Sequence, residues 1–162
     1  MARLSHPNLP RVTELGHDEG VTWLAMELID GEDLEVRLDR EGIPPPAWSA
    51  EVLEPIAQAL QYCHEAGVVH RDVKPANIVI GSGGVKLTDF GLARPQDGSA
   101  QVTTEGLVTG TPAFLAPERA MGKGDDHRSD IYSLGATLYT LLAGQPPFVR
   151  ETPIEVITAQ LK

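Results

Sequence analysis

The run His70-Arg71-Asp72-Val73-Lys74-Pro75-Ala76-Asn77, with Asp89-Phe90-Gly91 following twelve residues after Asn77, decides how this chain is read. Asp72 supplies a carboxylate that can orient a hydroxyl. Asn77 and Asp89 supply two oxygen side chains of the kind that hold Mg²⁺. Lys74 adds a point charge suited to a phosphoryl group in transfer. Together these are the parts that phosphoryl transfer from ATP requires. Val68-Val69 has the look of a short strand, so Asp72 is expected to leave a strand end into a loop. Asp89 is expected just beyond a second strand, Val85 to Leu87.

Working outward, the chain has 162 residues, 41% of them hydrophobic, which suits one globular domain with its own core. The formal net charge of −10 argues against a nucleic-acid partner. It also means that phosphates need local cations rather than a diffuse positive field. The single cysteine, Cys63, rules out an internal disulfide and fits a reducing compartment. The longest apolar stretch, Ile131 to Ala143, is too short to span a bilayer and is expected to form a buried helix. A cytoplasmic location is the expectation, with membrane anchoring of a longer product left open.

Val12 to Leu15 and Val21 to Ile29 read as a strand pair joined by a polar turn. Leu34 to Arg40 is expected to be a short helix. Gly42 to Pro46 is expected to be a loop, because successive prolines cannot continue a helix. From about Ser49 to Ala66 the residues Leu53, Ile56, Ala57, Leu60 and Cys63 follow helical spacing, with Gly67 as the cap. Ile78 to Ile80 and Val85 to Leu87 form a second hairpin. Pro95 to Thr111 is expected to be a long loop. Helices are expected over Ser129 to Ala143 and Ile154 to Leu161. The order gives an α+β class with helices segregated from small sheets. Cys63, His64 and His70 lie close in sequence, but their spacing fits no usual zinc pattern. His70 is expected to pack against Phe90 instead.

These motifs resemble the eukaryotic-like serine/threonine protein kinase family in its bacterial style. The resemblance covers essentially the whole chain. His6-Pro7-Asn8-Leu9 resembles the segment after the family's helix C, and Met26-Glu27-Leu28-Ile29 resembles the gatekeeper and hinge. Gly110 to Glu118 (GTPAFLAPE) resembles the substrate-docking loop, and Asp130 to Phe148 resembles the central helix F. The resemblance implies Asp72 as catalytic base, Lys74 on the γ-phosphate, and Asn77 and Asp89 on Mg²⁺. It implies Met26 as gatekeeper, backbone contacts to adenine at Glu27 and Ile29, Asp33 near the ribose and Val79 as the adenine floor. Asp130 is either a brace for the His70-Arg71 backbone or an acid favoured by a helix N-terminus. Lys74 together with Thr111 implies Ser/Thr acceptors on a protein substrate.

The family's Gly-rich loop and strand lysine are not among these residues. The resemblance therefore implies a mainly helical C-lobe with a remnant N-lobe hairpin. Residues 1–29 would be the remnant and hinge, and residues 30–162 the C-lobe, ending within helix G. Glu118 is expected to lack its usual partner, and the chain alone is expected to have little or no kinase activity. A non-catalytic kinase-like interaction module is the alternative. Small-molecule phosphotransferases of the aminoglycoside-kinase type generally lack the docking loop present here. Arg71 beside Asp72 resembles kinases switched on by loop phosphorylation, with Arg71 and Arg94 as phosphate partners. Thr103 and Thr104 are the expected sites, ahead of Ser99. Peptide mass spectrometry of the active protein should find phosphate on Thr103 or Thr104, and its absence from both would contradict this expectation.

Overall fold

The protein is described by a computed structural model that covers residues 4–18, 20–90, 111–124 and 126–162. Gly91, Arg94, Ser99, Thr103 and Thr104 lie outside the described residues. Strands β1 (Val12–Asp18) and β2 (Val21–Met26) pair antiparallel, with Asp18 opposite Val21. Gly20, at φ 81°, takes the left-handed turn conformation that glycine adopts without steric cost. The first strand thus runs further than expected, through Gly16, His17 and Asp18. The second stops earlier, at Met26, and residues 27–30 link it to the rest of the fold.

A short strand that the sequence reading missed, β3 (Gly31–Asp33), opens a second sheet with order β3-β4-β5. It pairs with β4 (Ile78–Gly81), which in turn pairs with β5 (Gly84–Leu87), both pairings antiparallel. Gly31 lies opposite Gly81, and a Cβ on Gly31 would come within 2.4 Å of the Ile80 carbonyl oxygen. Glycine is required for that approach, and it disguises the strand in the sequence.

Helix α1 (Leu34–Glu41) is capped by Asp33, whose Oδ1 accepts from Val36 N at 2.9 Å. Helix α2 (Pro46–Glu65) begins at the last proline of the expected loop. Proline is favoured at the first helical position, because its missing N–H would go unpaired there anyway. At the other end Ala66 caps the helix, and Gly67 follows at φ 74°. Val68 N donates to Cys63 O at 2.9 Å. That bond closes the helix and takes Val68 out of any ladder, so Val68-Val69 belongs to no strand. Asp72 therefore sits in the turn between α2 and a short 3₁₀ turn, Pro75–Asn77, and not at a strand end.

After a 3₁₀ turn at Pro112–Phe114 come helices α3 (Pro117–Ala120), α4 (His127–Ala143) and α5 (Pro153–Gln160). The core gathers Leu34, Ile56, Leu60, Ile78, Leu87 and Leu141 between α2, α4 and the second sheet. Helix α4, expected to be buried, is buried on one face only. Ser129, Ser133, Ala136, Thr137 and Thr140 face inward, whereas Ile131, Tyr139 and Leu142 are exposed. Small residues let α2 and α4 approach. Two of the buried hydroxyls are satisfied along their own helix, Thr137 and Thr140 Oγ1 donating to Ser133 O and Ala136 O (2.8 Å each), and Ser133 Oγ lies 2.9 Å from Ser129 O.

Candidate active site

The turn after α2 is held from α4. Asp130, completely buried, accepts from His70 N at 2.8 Å and Arg71 N at 2.7 Å, and its Oδ2 lies 2.8 Å from His64 Nε2. The brace expected of Asp130 is present in the geometry. Asp130 is also an acid in the first turn of α4, so the two alternatives hold together. Arg71 adopts φ 75°, and Asp89 adopts φ 57°. These are the two non-glycine residues with positive φ among the described residues, and both flank the proposed chemistry. Such conformations cost about 1–3 kcal/mol each and persist where surrounding contacts enforce them.

Asp72 is half-buried, and its side chain is fixed by two neighbours. Lys74 Nζ lies 3.0 Å from Asp72 Oδ2, and Asn77 Nδ2 donates to the same oxygen at 2.9 Å. Asn77 Nδ2 also donates to the Asp72 carbonyl at 2.8 Å. The Asn77 amide hydrogens are thus committed to Asp72, which leaves the Oδ1 oxygen for a cation. Thr88 N and Oγ1 both donate to Asn77 O, at 2.8 and 3.2 Å. These bonds continue the β4–β5 register by one rung and bring Asp89 beside Asn77. One amide oxygen and one exposed carboxylate form a hard donor pair that fits Mg²⁺.

The same sheet aligns two of the residues expected on the nucleotide side. Asp33 and Val79 are direct partners across β3 and β4. One Asp33 oxygen is spent on the α1 cap, leaving the second for a ligand. Met26 ends β2, and Ile29 lies in the link to β3. Thr111 precedes the 3₁₀ turn as its cap.

His70 is fully buried, with its ring centroid 4.5 Å from that of Phe90, as expected. Nδ1 accepts from Asp72 N at 3.3 Å, so the network assigns the ring proton to Nε2, which donates to Thr88 O at 3.1 Å. Burial pushes the His70 pKa below its ordinary value, opposed by the nearby carboxylates of Asp130, Asp72 and Asp89. Burial likewise pushes the Cys63 thiol up to about 11. A neutral buried thiol is a packing residue. Among the described residues no group of three or more His, Cys, Asp or Glu is placed to hold a metal.

Several residues escaped the sequence reading. Lys86 Nζ lies 2.6 Å from Glu27 Oε1 and donates to Pro7 O (3.0 Å) and Leu9 O (3.2 Å). Hydrogen bonding to Lys86 lowers the Glu27 pKa. Lys86 thus ties the N-terminal segment and the end of β2 to the strand leading to Asp89. Its signal was a lysine between two apolar strand residues, which snorkelling alone also explains. Glu118, for which the sequence reading named no partner within this chain, accepts from Ser129 Oγ at 2.7 Å. Ser129 lies in the first turn of α4.

Comparison with known proteins gives the family. Residues 1–162 match the family described as Protein kinase domain. A probable serine/threonine-protein kinase of Corynebacterium efficiens is 44% identical over 160 residues, covering 95% of this chain and 24% of the relative. The serine/threonine-protein kinase PknB of Mycobacterium leprae is 41% identical over 160 residues, covering 96% of this chain and 26% of the relative. The chain thus spans about a quarter of the length of these curated relatives. The chain belongs to the protein kinase domain family, whose members generally use ATP and Mg²⁺. Among the described residues no helix is long and apolar enough to cross a membrane.

Two outcomes follow for stability. Asp130→Ala orphans two buried backbone donors at about 1–3 kcal/mol each, so urea unfolding should show a loss of about 3 kcal/mol. A loss below about 1 kcal/mol would contradict the brace. His70 is held neutral, so between its folded pKa and about 6.5 the unfolded chain binds a proton that the folded chain does not. Stability conferred by His70 should therefore be full above about pH 6.5 and fall on acidification, by at most about 1.4 kcal/mol per pH unit. The stability difference between wild type and His70→Gln should shrink from pH 7.5 to pH 5; a constant difference would contradict the assignment.

Proposed function

We propose that this protein-kinase-family chain carries the phosphoryl-transfer half of an ATP-dependent protein serine/threonine kinase. In this reading residues 1–29 form the N-lobe hairpin and hinge, and residues 30–162 form the C-lobe. The observation that carries the proposal is the Asp72 carboxylate held by Lys74 and Asn77 on a turn braced by Asp130.

Asp72 accepts the proton of the acceptor hydroxyl and aims its oxygen at the γ-phosphorus; as that O–P bond forms, the bond from the γ-phosphorus to the bridging oxygen breaks and ADP leaves. Lys74, at 3.0 Å from Asp72, sets its ammonium against the equatorial oxygens and stabilises the negative charge they develop. Asn77 and Asp89 would hold Mg²⁺, which when bound would neutralise phosphate charge. Val79 underlies the adenine, Asp33 meets the ribose, and Glu27 and Ile29 offer backbone groups beside Met26. Arg71, with Arg94, receives a phosphate placed on Thr103 or Thr104, and Thr111 lies beside the acceptor. A protein segment bearing Ser or Thr is the substrate. The names of the relatives support the Ser/Thr class.

The test is steady-state transfer from radiolabelled ATP by the natural full-length protein that carries these residues. Asp72→Asn should lower kcat by about 10²–10⁴-fold with the KM for ATP little changed, as expected for removing a general base. Retention of more than about a third of wild-type kcat by Asp72→Asn would overturn the assignment.

A further inference from the structure

The peptide between Arg71 and Asp72 is the hinge on which the proposed base turns. Arg71 has φ 75°, a conformation that a residue with a side chain resists, and relaxation would rotate this peptide and carry Asp72 with it. Asp130 grips the preceding N–H, that of Arg71, at 2.7 Å. The Arg71–Asp72 peptide has two grips of its own. Its N–H donates to His70 Nδ1 at a long 3.3 Å. Its carbonyl, Arg71 O, accepts from Arg119 Nη1.

Arg119 comes from α3, on the far side of the docking loop in sequence, and is only 7% exposed. The segment it belongs to is pinned from two helices. Ser133 Oγ on α4 donates to Phe114 O at 2.7 Å, and Glu118 accepts from Ser129. Gln160 Nε2 on α5 donates to Pro112 O at 2.8 Å and to Ala113 O at 3.3 Å. A guanidinium presents its donors in a planar, preorganised fork, so it can hold one carbonyl while its stem stays packed.

We propose that Arg119 is a positioning residue: by holding the Arg71 carbonyl it fixes the Arg71–Asp72 peptide and ties the place of the docking loop to the place of Asp72. The role rests on the reading of Asp72 as the base. Its failure is separable from failure of that reading, because the test below involves no phosphoryl transfer.

The experiment is amide hydrogen exchange by NMR on the 162-residue chain, comparing wild type, Arg119→Gln and Arg119→Lys. Exchange at Arg71 and Asp72 is read against Ile56 in the middle of α2. In Arg119→Gln the Arg71 and Asp72 amides should exchange at least about tenfold faster with Ile56 unchanged, as for a local opening. Arg119→Lys, which keeps a cationic donor, should restore exchange to within about threefold of wild type. Exchange at Asp72 within about twofold of wild type in Arg119→Gln would overturn the proposal, as would equal acceleration at Ile56. If Arg119→Gln does not fold, Arg119→Lys decides. A folded Lys variant with the slow Asp72 amide supports the role, and a second unfolded variant reduces Arg119 to core packing and overturns it.

Discussion

A carboxylate with no solvent exposure is stable only when its neighbours replace the water it has lost. Asp130 meets that condition by accepting two backbone N–H groups of the turn that carries Asp72, with His64 Nε2 2.8 Å from Oδ2. The consequence runs both ways. The turn cannot leave without orphaning the carboxylate, and α4 cannot shift without dragging the turn. Helix α2 is bound into the same arrangement through His64 near its end. The left-handed Arg71 is tolerable because the groups around it are already held.

From that point the site spreads along β4 and β5. Asn77 follows the turn, and its amide steadies Asp72. Thr88 pairs with Asn77, and Asp89 comes next. The bonds that hold Asn77 to Asp72 and to Thr88 thus serve both the proposed base and the proposed metal ligands. Lys86, three residues before Asp89, fastens Glu27 and the N-terminal segment to the same strand. The chain has a net charge of −10, yet three of its cations, Lys74, Lys86 and Arg119, are placed locally against specific oxygens.

Much of this was legible in the sequence. The spacing of Asp72, Asn77 and Asp89 pointed to phosphoryl transfer, and helical periodicity found α2. Several features that depend on a distant partner were not legible. Strand β3 holds two acids and a glycine, and it exists because β4 offers a ladder at Gly81 to Val79. Val68-Val69 has strand-forming side chains, but the Val68 donor was taken by the end of α2. The hydroxyls of α4 looked like interruptions of an apolar run. They are buried and satisfied by carbonyls one turn back, a device that periodicity does not register. Arg119 carried no motif of its own beside Glu118, and its importance lies in a carbonyl 48 positions away.

The central claim is that Asn77 and Asp89 form one divalent-cation site adjoining a nucleotide surface made by Asp33 and Val79. Mn²⁺ substitutes for Mg²⁺ at oxygen sites and broadens the NMR signals of nearby nuclei. Titrating the isotope-labelled chain with Mn²⁺ and ATP together tests the claim directly. The expected result is early loss of the Asn77 and Asp89 amide signals, with Val79 and Asp33 following and the β1–β2 turn unaffected. Broadening that spares Asn77 and Asp89 while striking other acidic segments, such as Glu32 to Glu41, would contradict it.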